Sequence, residues 1–135
     1  MSASGMIARL VFGTTVLFGS CAHAFEFDGA WATDGEKCGK IFVKKNNRIA
    51  MTKHSDFFGG GFIVAGDRIK GPAAACKING RKEEGAMLHL VASCSTQIAV
   101  LSPMQLDVKV EDNDRITRFF PNFPEITASY TRCPL

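Results

Sequence analysis

The chain has no Cys-x-x-Cys pair, which removes the ligand spacing of a zinc ribbon and of a thioredoxin-type redox site. It has no block of one charge sign. Lys and Arg number 16 against 13 Asp and Glu, and they alternate locally for a formal charge of +3. Nothing in that balance marks a nucleic-acid or anionic-membrane surface. The densest basic group, Lys44, Lys45 and Arg48, flanks Asn46-Asn47 and reads as a solvated turn. The apolar run Leu10–Phe18 falls short of the ~20 residues that a membrane-spanning helix needs. Gly-x-Ser-x-Gly and His-Glu-x-x-His are absent, so the chain carries neither local signature of hydrolytic chemistry. No long 3.6-residue apolar period is present, which argues against a helical fold.

What is present begins with an address. Arg9 supplies a lone positive charge ahead of the apolar run, and Ala22-His23-Ala24 offers the small-x-small site of a signal peptidase. The sequence therefore predicts a removed signal peptide over 1–24, a single β domain over 25–135 and a periplasmic or secreted destination. Phe18-Gly19-Ser20-Cys21 admits a second boundary, in which Cys21 becomes the acylated first residue of a lipoprotein. Either way Cys38, Cys76, Cys94 and Cys133 remain, an even number suited to an oxidising compartment.

Short apolar runs separated by turn signals predict an all-β fold, a small antiparallel barrel or sandwich of about eight short strands. Ile41-Phe42-Val43 and Ile49-Ala50-Met51 flank Asn46-Asn47, a pair that tolerates the positive φ of a tight hairpin. Phe62-Ile63-Val64 and Arg68-Ile69-Lys70 flank Ala65-Gly66-Asp67 in the same way. Met104, Leu106, Val108 and Val110 alternate with Gln105, Asp107, Lys109 and Glu111, the clearest half-buried strand. Asp112-Asn113-Asp114 turns this strand into Arg115–Phe120, and Ile126–Arg132 reads as the last one.

Residues Ala73–Lys82 and Ala86–Cys94 surround Glu83-Glu84-Gly85 and predict a long hairpin. Folding it near Gly85 brings Cys76 opposite Cys94, or one diagonal step away, on a face shared with Ile78, Leu88, Leu90 and Ala92. That pairing leaves Cys38 for Cys133, tying the start of the domain to its end. His89 falls with Lys77 and Arg81 on the opposite, solvent-facing side.

Candidate sites are few. Phe57-Phe58-Gly59-Gly60-Gly61-Phe62 sets three aromatics beside a glycine run, which suits a rim over an apolar ligand, an insertion loop for a partner's cleft, or a loop with its Phe packed inward. No Gly-Lys-Ser/Thr follows, so it is no phosphate loop. His54-Ser55-Asp56 places three catalytic residue types in a row, but neighbours on an extended backbone point alternately and form no relay. Asp112-Asn113-Asp114 lacks the Gly and the closing Glu of a calcium loop. Glu83-Glu84 at a loop tip stays solvated, without the separated pKa values of an acid–base pair. No catalytic residue, metal or cofactor is expected.

Gly29-Ala30-Trp31 at the first strand resembles the Gly-x-Trp signature of the calycin proteins, which include lipocalins, avidins and bacterial metalloprotease inhibitors. The later Thr-Asp-Tyr motif of lipocalins is absent. The resemblance implies a barrel with a ligand cup or an inhibitory end. It also implies that Trp31 closes one end of the core against an Arg from a late strand, Arg132 or else Arg118. Two functions then compete. One is a non-catalytic, monomeric exported barrel that binds a small apolar ligand through Trp31, Phe57, Phe58 and Phe62. The other is an inhibitor of a secreted or periplasmic hydrolase, acting through Phe25-Glu26-Phe27 or Phe57–Phe62. A binder needs an interior of roughly 300 Å³ or more, whereas an inhibitor works with a filled core.

Overall fold

A computed structural model describes residues 24–135 together with Gly13, Thr15, Val16 and Gly19. The expectations of a cleaved leader and of acylation at Cys21 rest on residues outside these. Eight strands close an antiparallel barrel: β1 (Gly29–Ala32), β4 (Gly61–Ala65), β5 (Arg68–Lys70), β6 (Ala75–Glu84), β7 (Met87–Ser95), β8 (Met104–Asp112), β9 (Arg115–Phe120) and β10 (Phe123–Cys133). Their order around the wall is β1-β10-β9-β8-β7-β6-β5-β4, so the seam joins the first strand to the last. The remaining two, β2 (Phe42–Lys45) and β3 (Arg48–Met51), form a separate hairpin. Closure leaves the barrel no unpaired edge, which is how small all-β domains avoid edge-to-edge association. Among the described residues no helix is long and apolar enough to cross a membrane.

Local chemistry accounts for the turns. Asn46 and Asn47 take φ of 50° and 60° in the β2–β3 turn, and Gly85 takes 57° between β6 and β7. These are conformations that Asn and Gly adopt at low cost. The strand of Met104–Val110 forms as β8, with Val108 buried inward. The predicted disulfides are both present. Cys76 lies directly opposite Cys94, and Cys38 joins Cys133 across 95 positions.

The turn at Ile41 and the register of β6 depart from the sequence reading, as does Glu83-Glu84, which lies within β6 and not in the loop. Ile41 ends a short helix, α1 (Cys38–Ile41), instead of opening a strand. The chain must turn there to bring Cys38 to Cys133, and Thr52 holds the turn through its backbone N–H on the Ile41 carbonyl and its hydroxyl on the Lys40 carbonyl. In β6 the register shifts between Ile78 and Gly80, so Arg81 pairs with Leu90 while Lys82 pairs with His89. One extra residue in a strand moves all later side chains to the other face. Arg81 therefore leaves the outer face and donates to the Phe25 carbonyl at 3.0 Å.

The apolar residues divide into two cores. Inside the barrel Phe27, Trp31, Val64, Leu88, Leu90, Val108 and Ile116 pack together. Outside it, Ala30, Ala32 and Ile63 on the outer face of β1 and β4 are covered by Ile41 and Phe42 and by the Cys38–Cys133 bond. β1 is thus buried on both faces, inward through Trp31 and outward through its alanines.

Candidate functional site

Strand direction gives the barrel two different ends. At one end lie Gly29 and the turns at Gly66, Gly85 and Asp112–Asp114. At the other lie Gly61 and the connections Gly71–Ala74, Thr96–Pro103 and Pro121-Asn122.

The first end is sealed. Phe25 and Phe27 both lie about one ring away from Trp31, with centroids 6.1 Å apart in each case, and the Trp31 indole N–H donates to the Phe27 carbonyl at 3.0 Å. The Arg132 guanidinium sits 4.3 Å over the Trp31 ring and donates to the backbone carbonyls of Glu26, Asp28 and Asn113. Trp31 is wholly inaccessible. Gly29 is required beside it, since φ there is 136° and a Cβ would meet Arg132 Nη1 at 2.9 Å. The stacking partner is Arg132; Arg118 lies elsewhere.

The second end opens into a cavity of about 330 Å³. Its walls are Leu90 and the Cys76–Cys94 disulfide from β6 and β7, Leu106 and Val108 from β8, Ile116 from β9 and Phe62 from β4. Phe27 forms its floor. Leu101 and Met104 line it while remaining 39% and 37% exposed, so the cavity meets solvent beside them. Of the glycine run Gly61 lines it, and Thr33 at the end of β1 holds the neighbouring Gly60 through two backbone-directed bonds of its hydroxyl and a third from its N–H. Among the described residues that line it, only Tyr130 and Arg118 have polar side chains.

The four residues expected to contact a ligand or partner do not converge. Phe62 lines the cavity, edge-on to Tyr130 with centroids 4.9 Å apart. Trp31 lies below the cavity, in the sealed end. Phe58 packs against the outer core beneath Lys40. Phe57 is 75% exposed and stacks on His54, with centroids 5.2 Å apart. That stacking also separates the His54-Ser55-Asp56 triple, in which Ser55 is buried while His54 and Asp56 face solvent. Arg118 is the residue sequence reasoning missed at this site. The signal was available: it stands two positions after buried Ile116 on one strand, which places both on the inward row.

On the outer wall His89 is half-buried instead of solvated. Its Nδ1 lies 2.7 Å from Asp107 Oδ1, and its Nε2 lies 3.4 Å from Glu84. The Asp107 hydrogen bond, opposed by burial and aided by the nearby carboxylates, raises the His89 pKa above its ordinary 6.5. Burial pushes the Asp107 carboxyl up, but hydrogen bonds from His89 and Gln105 outweigh it and hold the carboxyl below 3.8. A raised histidine pKa stabilises the fold fully below 6.5, and that contribution is lost as pH rises through the folded value. The depressed Asp107 contributes above 3.8 and loses its contribution as pH falls through its own folded value. His89→Gln is therefore expected to destabilise more at about pH 5.5 than at about pH 8.5. Urea unfolding at both pH values checks this, and an equal loss at each would refute it.

The chain matches no protein-family model, and no curated protein or solved structure is significantly similar to it.

Proposed function

We propose that this protein is an exported, non-catalytic barrel that holds a small apolar ligand in its open half. The observation that carries the reading is the 330 Å³ apolar cavity beside a sealed end. Ligand sites for small molecules run from about 300 Å³ upward and are lined mainly by apolar side chains. A barrel of this size is able to fill its interior with side chains, and leaving a void forfeits dispersion contacts that an occupant restores. The described residues of the lining include no carboxylate, imidazole or free thiol, which supports binding over catalysis. The two disulfides support a compartment outside the reducing cytosol. The Trp31–Arg132 stack has the form that the calycin resemblance implies.

The inhibitor reading has a weaker footing. Phe27 is 3% exposed and Phe25 packs on Trp31, so the segment that would insert into a hydrolase is used to close the barrel. Of the phenylalanines in the two expected insertion segments, Phe57 alone is exposed.

Native mass spectrometry of the protein recovered from its own envelope fraction tests the proposal. The expected species begins at Phe25, lacks the four hydrogens given up to two disulfides, and carries a small apolar molecule. Leu106→Trp, which projects an indole into the cavity, is expected to abolish that adduct while the barrel stays folded. Retention of the adduct by this variant would place the ligand elsewhere. A ligand-free protein that also fails to bind 1-anilinonaphthalene would overturn the reading.

A further inference from the structure

Arg118 is out of place in this interior. Its neighbours across the sheet are Val108 on β8 and Ala128 on β10, so it sits in the inward row one step nearer the mouth than Ile116. It is the one charged side chain among the described residues that line the cavity. Its Nε is shielded from solvent and makes no hydrogen bond, and no ion pair among the described residues includes it. The guanidinium rests 4.5 Å over the Phe120 ring, a contact that fixes its plane without meeting its donors. The other arginine engaged with an aromatic at the barrel interior, Arg132, gives hydrogen bonds to three carbonyls. Arg118 has none of that compensation.

A buried guanidinium nitrogen without an acceptor is costly, and apolar walls supply no acceptor. The shielded Nε is out of a ligand's reach, but a ligand with an anionic head would supply acceptors to the Nη groups of this unpaired cation, and a carboxylate matches their planar fork with two parallel hydrogen bonds. Building on the cavity reading above, we infer that the barrel selects amphipathic anions, an aliphatic tail with one carboxylate head, and that Arg118 binds the head. Tyr130, paired with Ile116 one inward row deeper, is the lining's other polar side chain and stands within the same cavity. The tail then lies against Leu90, Leu106 and the Cys76–Cys94 bond.

Calorimetric titration of the full mature protein with dodecanoate, dodecyl phosphate and dodecanol provides the test. Dodecanoate is expected to bind at least about tenfold more tightly than dodecanol, since charge-assisted pairs are roughly twice as strong as neutral ones. Dodecyl phosphate separates a carboxylate-shaped site from a general anion site; stronger binding of the phosphate would reassign the head while keeping Arg118 as its partner. Arg118→Met is expected to remove the preference for dodecanoate and to leave dodecanol binding unchanged or improved. Arg118→Lys should restore part of the preference, and near-UV circular dichroism reports whether each variant is folded. Equal binding of dodecanol and dodecanoate by the native protein would overturn this inference and spare the apolar-cavity reading. Failure to bind any of the three would overturn both.

Discussion

Replacing Cys38 and Cys133 together by alanine is expected to lower the unfolding free energy by between about 4 and 5 kcal/mol, the largest effect of any single covalent change. The bond closes a loop of 95 positions, and the entropy removed from the unfolded chain grows with loop length. The Cys76–Cys94 bond closes only 18 positions, so its removal is expected to cost about 3 kcal/mol. The longer bond also lies in the outer core, with Cys38 and Cys133 both buried against Ala30, Ala32 and Ile63. Urea unfolding of the two double-alanine variants beside the native protein gives the comparison. If the short-loop variant proves the less stable of the two, loop closure is not the governing quantity and local packing around Cys94 is.

Trp31→Ala is expected to cost between about 3 and 5 kcal/mol, the range for truncating a fully buried large side chain. The loss combines three things present at one place. The indole fills the sealed end between Phe25 and Phe27, its N–H satisfies the Phe27 carbonyl, and its face carries the Arg132 guanidinium. Arg132→Met is expected to cost about 2–4 kcal/mol, because it leaves the carbonyls of Glu26, Asp28 and Asn113 without their charged donor. A double-mutant cycle isolates the stacking itself and is expected to return a coupling of about 1–2 kcal/mol. A coupling near zero would mean that Trp31 and Arg132 act as independent supports. Ligand affinity in folded Arg132→Met should stay close to native, since the cavity lies on the other side of Phe27.

Local patterning was a good guide wherever the wall is built from neighbours in sequence. The strict alternation from Met104 to Glu111, the turn at Gly85 and the facing of Cys76 by Cys94 follow from period-two geometry and turn chemistry. The pairing of Trp31 with Arg132 was legible too, though only through the Gly29-Ala30-Trp31 signature. What stayed hidden depends on distant partners. Ile41 has the look of a strand residue, yet the demand that Cys38 reach Cys133 bends it into a helix. The shift at Asn79 has no composition of its own, so strict alternation puts Arg81 on the outer face where the structure turns it inward. The phenylalanines of the glycine-rich segment shared one motif but went to three surroundings: solvent for Phe57, the outer core for Phe58 and the cavity for Phe62. An empty interior cannot be read from a list of bulky residues. Leu90, Leu106 and Val108 do point inward, and space remains between them.

The seam between β1 and β10 pairs Ala30 with Cys133, the first strand of the barrel with its last. A chain that emerges amino end first, from a ribosome or a translocation channel, therefore cannot close this barrel until its last strand is out. The hairpin of β6 and β7 needs no such wait, since Cys76 and Cys94 come together within one local unit. Through that interval Cys38 has no native partner in reach, and the double-buried β1 has β4 beside it but not β10. The order of synthesis thus writes a schedule of oxidation, local bond first and terminal bond last. Premature thiol chemistry at Cys38 is the point at which assembly of this domain is most open to error.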